Sequence, residues 1–426
     1  MKISRLAGIA TLLAAGFAQA QAVKFDGALI EFWYSQMMDN NLRLSTSAVP
    51  AGSSNYYGVN ALFAENTFAI KRSEVYLSGK VSDDVSWNLM FDPNNTTSSV
   101  GNNVLHDAVI TWTVAKGLTL KAGQFKMPTT YEATIVSARD ILFWDRNQLN
   151  RAFGDKRDRG VWAQYAFGSA SYQGKFNLAV SNGTTDDGSG GKNNDANAQK
   201  DWTFRYDGAV GTAHKFGAYY REGATNLKDS TMVSATTPAT WTVGVPAAAA
   251  FATQIKDNKD KTTLQGLYYA YNAGNIYADF EYATGLLGRR FPTVFAAASA
   301  PKREHLDQKF AGYVGTVVYK MGAHWLLARY DVLNYNSSSN WYTAYNPYTQ
   351  SAVNTPLLVN GAPVDYSPKY TETTLGYNYL FNPGKYTTGK LKLDYIMRSK
   401  NFFVPRAGQI GEQGGDSFVA SLMIGF

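Results

Sequence analysis

The residues best suited to chemistry in this chain are single cations set into alternating stretches. Arg72 follows Lys71, Lys121 follows Leu120, Lys175 precedes Phe176, Arg205 lies between Phe204 and Tyr206, and Arg329 precedes Tyr330. A second group, Arg139, Arg146, Arg151 and Arg157, falls within one stretch, MPTTYEATIVSARDILFWDRNQLNRAFGDKRDR, at residues 127–159. Guanidinium and ammonium groups break no bonds by themselves, but they replace the water shell of a phosphate or carboxylate with N–H donors. The chemistry on offer is therefore reversible coordination of anions. The alternative is that these cations cross-link the stretch to its surroundings and keep an interior wet.

Other chemistries find few residues. His106, His214, His305 and His324 have no Ser or acidic partner at motif spacing, and no HExxH run occurs. Histidines at strand ends are expected to make interfacial or loop contacts. Residues 184–198, TTDDGSGGKNNDANA, resemble a calcium loop only in composition, because the acidic spacing departs from the EF-hand pattern and no closing Glu is present. A plain loop is expected there. No catalytic group, cofactor, metal site or nucleic-acid partner is expected.

The elements that must position the cations follow from periodicity. Within 127–159, Ile135, Ile141, Leu142, Trp144, Leu149 and Phe153 recur at steps of three to seven, nearer a helical turn than a pleat. Everything around alternates with a period of two. The stretch is read as a partly helical loop folded into a β-barrel, with boundaries 127–158; an ordinary exposed loop carrying a helical turn is the alternative.

Sixteen segments of about ten residues alternate in this way, from 24–35 and 66–80 at one end to 389–399 and 415–426 at the other. Even-numbered segments end in short Gly-, Asn-, Asp- or Ser-rich turns such as VSDD, AKG and NAGN. Odd-numbered ones are followed by long polar stretches, among them 36–65, 93–103, 183–200, 224–260, 287–304 (after the segment 275–286) and 336–367. Loop lengths sorted by parity predict an all-β, 16-stranded antiparallel transmembrane barrel with short periplasmic turns and long outer loops. A soluble sandwich has no reason to sort them. Closure is required, since nothing in hydrocarbon satisfies an open sheet edge.

Strand register then assigns faces. Arg72, Glu74 and Tyr76 turn inward while Val75 and Leu77 face lipid, and the same count places Lys121, Lys175, Arg205, Lys215, Arg221, Arg329, Lys390, Lys392 and Arg398 in the lumen. Strict alternation turns Lys71 outward. Inward acids are expected at Glu74, Asp207, Asp279, Glu281, Asp331 and Asp394. From Lys126 to Arg159 the chain holds seven basic and five acidic residues, adding to a basic excess. Such a lining attracts anions.

Composition supports a membrane address. Residues 1–20, MKISRLAGIATLLAAGFAQA, have the charged start, apolar run and small-x-small end of a secretory signal peptide, with residues 21–426 forming the barrel. No cysteine occurs, so neither a disulfide nor a lipoprotein anchor can form. The 28 Tyr, 23 Phe and 9 Trp fit aromatic girdles at two membrane surfaces. The last segment, SFVASLMIGF, puts Phe418, Ala420, Leu422, Ile424 and the terminal Phe426 on one face, as outer-membrane barrels do. The Ala-rich segment 239–252 has no assigned role. Outer-membrane lipid and lipopolysaccharide are the expected surroundings.

Two stretches, IKRSEVYLSGKVSDDVSWNLMFD at 70–92 and DAVITWTVAKGLTLKAGQFK at 107–126, resemble the phosphate-selective porin O and P family. The resemblance implies a sixteen-stranded homotrimeric barrel with its third loop folded inward and passive uptake of phosphate or related anions. It implies candidate lumen ligands at Lys71 and Arg72, where the family pattern has two arginines, and a basic third-loop residue best matched by Arg139. No full arginine ladder or dense lysine cluster is found. A general pore for sugars or carboxylates is therefore the alternative.

Overall fold

The computed structural model describes residues 23–38, 66–94, 104–183, 199–225, 260–295, 302–335, 337–338, 369–385, 388–399 and 416–425, with two small strand pairs at 231–232/241–242 and 358–359/362–363. The signal segment 1–20, the calcium-like stretch 184–198, most of the Ala-rich segment and Phe426 lie outside them.

Sixteen strands carry the alternation and form one closed antiparallel barrel in chain order. They are β1 (Lys24–Met37), β2 (Asn66–Lys80), β3 (Val85–Phe91), β4 (Leu105–Ala115), β5 (Leu118–Lys126), β6 (Arg157–Gly168), β7 (Tyr172–Ser181) and β8 (Asp201–Val210), then β9 (His214–Thr225), β10 (Asp260–Ala273), β11 (Ile276–Phe295), β12 (Lys302–Met321), β13 (His324–Asn334), β14 (Lys369–Leu380), β15 (Gly389–Arg398) and β16 (Ser417–Gly425). The seam closes where Leu29 to Met37 of β1 pair with Gly425 to Ser417 of β16. Every predicted strand is present. The largest difference is at β11, which was expected to end at 286 and continues to Phe295, paired with β12 through Phe295↔Lys302. Its Gly- and Arg-rich composition suggested a loop, but hairpin pairing supplies backbone hydrogen bonds whatever the hydropathy.

The faces separate by polarity as a bilayer demands. Ile30, Phe68, Ile110, Val161, Phe204 and Val317 are exposed on the outside, whereas Glu31, Thr203, Glu281, Arg329, Lys392 and Ser421 are buried inside. Burying a pleat's polar face around a lumen keeps charge away from lipid, where a midplane cation costs about 2–4 kcal/mol. Ring contacts link Tyr165, Phe167, Phe176, Tyr206 and Phe216 near the short turns, at centroid separations of 5.0–6.3 Å. This is a girdle at the interface. His214 and His324, each the first residue of its strand, share hydrogen bonds of 2.7 Å with Tyr269 and Tyr377 in that zone, the interfacial contacts expected of them.

The short turns need backbone that L side chains avoid. Gly117, between β4 and β5, has φ +81°, and a Cβ there would lie 2.3 Å from the Ala166 carbonyl oxygen. Glycine is thus required by both conformation and space.

Pairing shifts register at five places among the described residues, and two of these bulges bear on the lumen. Glu31 pairs with Arg72 while Phe32 pairs with Ile70, leaving Lys71 as an extra residue in β2. Phe91 pairs with Leu105 while Met90 pairs with Asp107, leaving His106 extra in β4. A bulge lets two consecutive side chains share a face. The expectation that Lys71 points outward is therefore corrected: its Nζ lies 2.7 Å from Asp145 Oδ2, inside the barrel.

Candidate functional site

The third loop, 127–156, occupies the lumen. It contains α1 (Tyr131–Ile135), a 3-10 turn at Ala138–Asp140 and a π turn at Asn150–Gly154, matching its helical spacing. Its apolar residues need a wall, and the barrel supplies one: Met127 at the loop's start packs among Val109, Phe125, Ala179 and Trp162, and the rest pack mainly on β1 and β10 to β16. Tyr131 stacks on Tyr268 at 4.6 Å, Phe153 on Phe310 at 3.9 Å, and Trp144 on Trp33 at 6.1 Å. Polar groups finish the fit. Tyr131 N–H donates to Glu281 Oε1 at 2.7 Å, Asn378 Nδ2 to the Leu142 carbonyl at 2.9 Å, and Lys390 and Lys392 to the carbonyls of Arg139 and Phe143, both at 2.8 Å.

Three carboxylate hubs pin the loop. Glu31 of β1 accepts from Arg72, from Lys392 at 2.6 Å and from Ser421 at 2.8 Å. Glu372 of β14 accepts from Arg151 and Arg329 at 3.1 Å, Arg398 at 3.2 Å and Tyr370 at 2.7 Å. Asp145, on the loop, receives Lys71 and, at 3.1 Å, Arg72. Burial works against charge on Asp145, but Lys71, Arg72 and Arg151 outweigh it and hold the carboxyl below its ordinary range. Asp155 behaves alike: Lys126, Arg146 and Arg157 overcome burial and keep it well down. Asp140 goes the other way, because burial lifts it against the pull of Lys390 and Arg139.

The ten candidate cations divide by partner. Lys71, Arg72, Arg151 and Arg329 are committed to the hubs. Arg146 donates to the carbonyls of Glu132 and Val136 within the loop, with its Nε 3.5 Å from Asp155. Arg157 pairs with Asp107 at 2.7 Å, and Arg205 with Asp207 at 2.6 Å while also donating to the carbonyls of Thr129 and Thr130. Three remain lightly held among the described residues. Lys175 is 3.8 Å from Asp207 and over a third exposed; Lys121 sits 4.3 Å above the Trp162 ring; Arg139 lies 4.3 Å from the Tyr76 ring. Neither Lys121 nor Arg139 has a carboxylate within 4.0 Å among the described residues.

The wall that the middle of the loop, from Tyr131 to Phe153, leaves least covered is that of β5 to β7. It carries Lys121, Trp162, Gln164, Asn177 and Lys175 on β5, β6 and β7. Asn177 Oδ1 accepts from Gln164 at 2.9 Å and from Trp162 at 3.3 Å, and its Nδ2 donates to Asp207 at 3.0 Å.

Sequence reasoning missed the hubs Glu31 and Glu372, because one carboxylate in an alternating strand carries no signal of the distant cations that converge on it. It also missed a cluster of Glu74, Asp92 and His106, whose ligand atoms lie within 4.8 Å of one another. Only the register shift at His106 brings that imidazole to the face of Glu74.

A closed sixteen-stranded barrel with an apolar belt and a loop narrowing a charged lumen is an outer-membrane porin. The sequence profile of the phosphate-selective porin O and P family matches residues 47–401, and the chain belongs to that family. No curated protein matches it by sequence. Among solved structures it is similar to OmpT, an outer membrane protein of Vibrio cholerae in trimer form, at 11% identity and TM-score 0.51, covering 95% of this chain and 100% of that one. It is also similar to Salmonella typhi OmpF in complex with daunomycin, at 10% identity and TM-score 0.52, covering 95% and 97%. The outer membrane channel DcaP of Acinetobacter baumannii gives 9% identity and TM-score 0.52, covering 96% and 98%. At these identities the likeness concerns the fold. Family and fold point to a channel rather than an enzyme.

Proposed function

We propose that this porin passes small solutes by diffusion with a preference for anions, phosphate or related species among them. The observation that carries this reading is the lack, among the described residues, of close carboxylate partners at Lys121 and Arg139, with Lys175 only loosely paired. Cations neutralised at 3 Å offer a passing anion little, whereas these three keep their charge for solute. The alternative, a weakly selective pore for sugars or carboxylates, is favoured by the other seven candidates, all engaged with protein carboxylates. Together they support a modest preference in place of exclusion. A homotrimer surrounded by lipid and lipopolysaccharide fits the family and the trimer form of the Vibrio cholerae protein.

The test is the reversal potential across a planar bilayer under a potassium chloride gradient, repeated with added phosphate. Anion-selective current, reduced by phosphate and moved toward zero selectivity in a Lys121→Gln, Lys175→Gln, Arg139→Gln triple variant, supports the reading. Current indifferent to all three substitutions supports the general pore, and cation selectivity overturns anion preference.

A further inference from the structure

We propose that Glu74, Asp92 and His106 bind one divalent transition-metal ion of the zinc type on the lumen wall. The three side chains come from neighbouring strands: Glu74 from β2, Asp92 directly after β3, and His106 from the bulge in β4. Their ligand atoms lie within 4.8 Å of one another. Zinc–oxygen and zinc–nitrogen bonds of about 2.0–2.2 Å would require the side chains to close in by about an ångström. Two carboxylates and one imidazole suit zinc, cobalt or nickel, and solvent would complete the coordination.

Charge supplies an independent argument. Glu74 and Asp92 are 4% and 5% exposed, and buried carboxylates need compensation. The arginines nearby are engaged mainly elsewhere and leave Glu74 one long ion pair. Arg72 binds Glu31 and Asp145, and its Nε stays 3.9 Å from Glu74; Arg157 binds Asp107. Asp92 has no cationic partner within 4.0 Å among the described residues. Instead, its Oδ1 accepts from Ser73 N–H at 3.2 Å, Ser73 Oγ at 3.3 Å and Asn94 N–H at 3.0 Å, and Glu74 Oε2 accepts from the Tyr76 hydroxyl. These neutral donors orient the carboxylates without neutralising them, as outer partners of a metal site do. A dication would supply the missing charge.

The experiment uses the full-length porin, chelator-treated and dialysed in detergent, titrated with zinc ion alone by calorimetry and with cobalt(II) followed by visible absorption. One ion per chain is expected, with a cobalt spectrum distinct from the aquo ion. Binding should weaken at least tenfold in Glu74→Gln and in His106→Gln, while a Lys121→Gln control matches the parent. Parent porin that binds neither ion, or a His106→Gln barrel that binds as tightly as the parent, overturns the site. If Glu74→Gln does not fold, the His106→Gln comparison and the parent cobalt spectrum decide alone. Channel selectivity plays no part in either readout.

Discussion

Glu372 shows how much one side chain can organise. Buried completely, it faces Arg151 from the loop, Arg329 from β13 and Arg398 from β15. Removing the charge leaves three guanidinium groups crowded without their common partner, and breaking a buried pair costs about 3–5 kcal/mol. A Glu372→Gln variant is expected to melt earlier than the parent and to show larger, noisier single-channel currents as the loop loosens. Unchanged melting and conductance would show that Arg329 and Arg151 find compensation in Asp331 and Gln148. Arg329 and Arg398 were legible as inward residues from alternation, and Arg151 from the reading of residues 127–158 as an inward-folded loop. Their commitment was not, since partners 221 and 43 residues apart leave no periodic trace.

At the scale of elements, the bulge in β2 works as an insertion that adds one cation without disturbing the pleat. Ile70 faces out and Arg72 faces in, so removing Lys71 should restore plain alternation and leave every other side chain on its present face. A Lys71 deletion is expected to fold, with heat-modifiable mobility like that of the parent, and to lose only the Lys71 bond to Asp145 and its contacts with the Trp33 and Trp144 rings. Failure to fold would mean that the bulge also sets strand register. The sequence showed the paired basic residues, but strict counting assigned Lys71 to the wrong face because a bulge has no compositional mark here. Two carboxylates of the third loop share one response to acid. Asp145 and Asp155 have folded values held below the ordinary one near 3.9. Their stabilisation is complete above that ordinary value and is lost only as pH falls through the depressed values. Conductance is therefore expected to stay constant as far as these two groups govern it from pH 7 to about 4.5. An Asp145→Asn variant should show a loosened loop across that whole range.

For the whole molecule, alternation disclosed strand number and loop-length parity disclosed the up-and-down topology, because a membrane sorts turns from loops physically. The depth of the lumen's filling was not disclosed, since it depends on which wall the loop chooses. The wall is closed by sixteen antiparallel pairings that owe nothing to the loop. Replacing residues 129–154 by a short Gly-Ser linker should therefore leave a folded barrel with raised conductance and reduced selectivity. Collapse of the barrel on that replacement would show that the loop braces the wall from inside.

The positions of the hubs also impose an order of events. The loop is complete by residue 156, yet its carbonyls at Arg139, Leu142 and Phe143 are held by Lys390, Asn378 and Lys392, partners 236–251 residues further on. Contacts of such separation form late. During assembly a nascent sheet must therefore carry an undocked loop until its last three strands arrive, and the lumen narrows only as the seam between first and last strand is sealed.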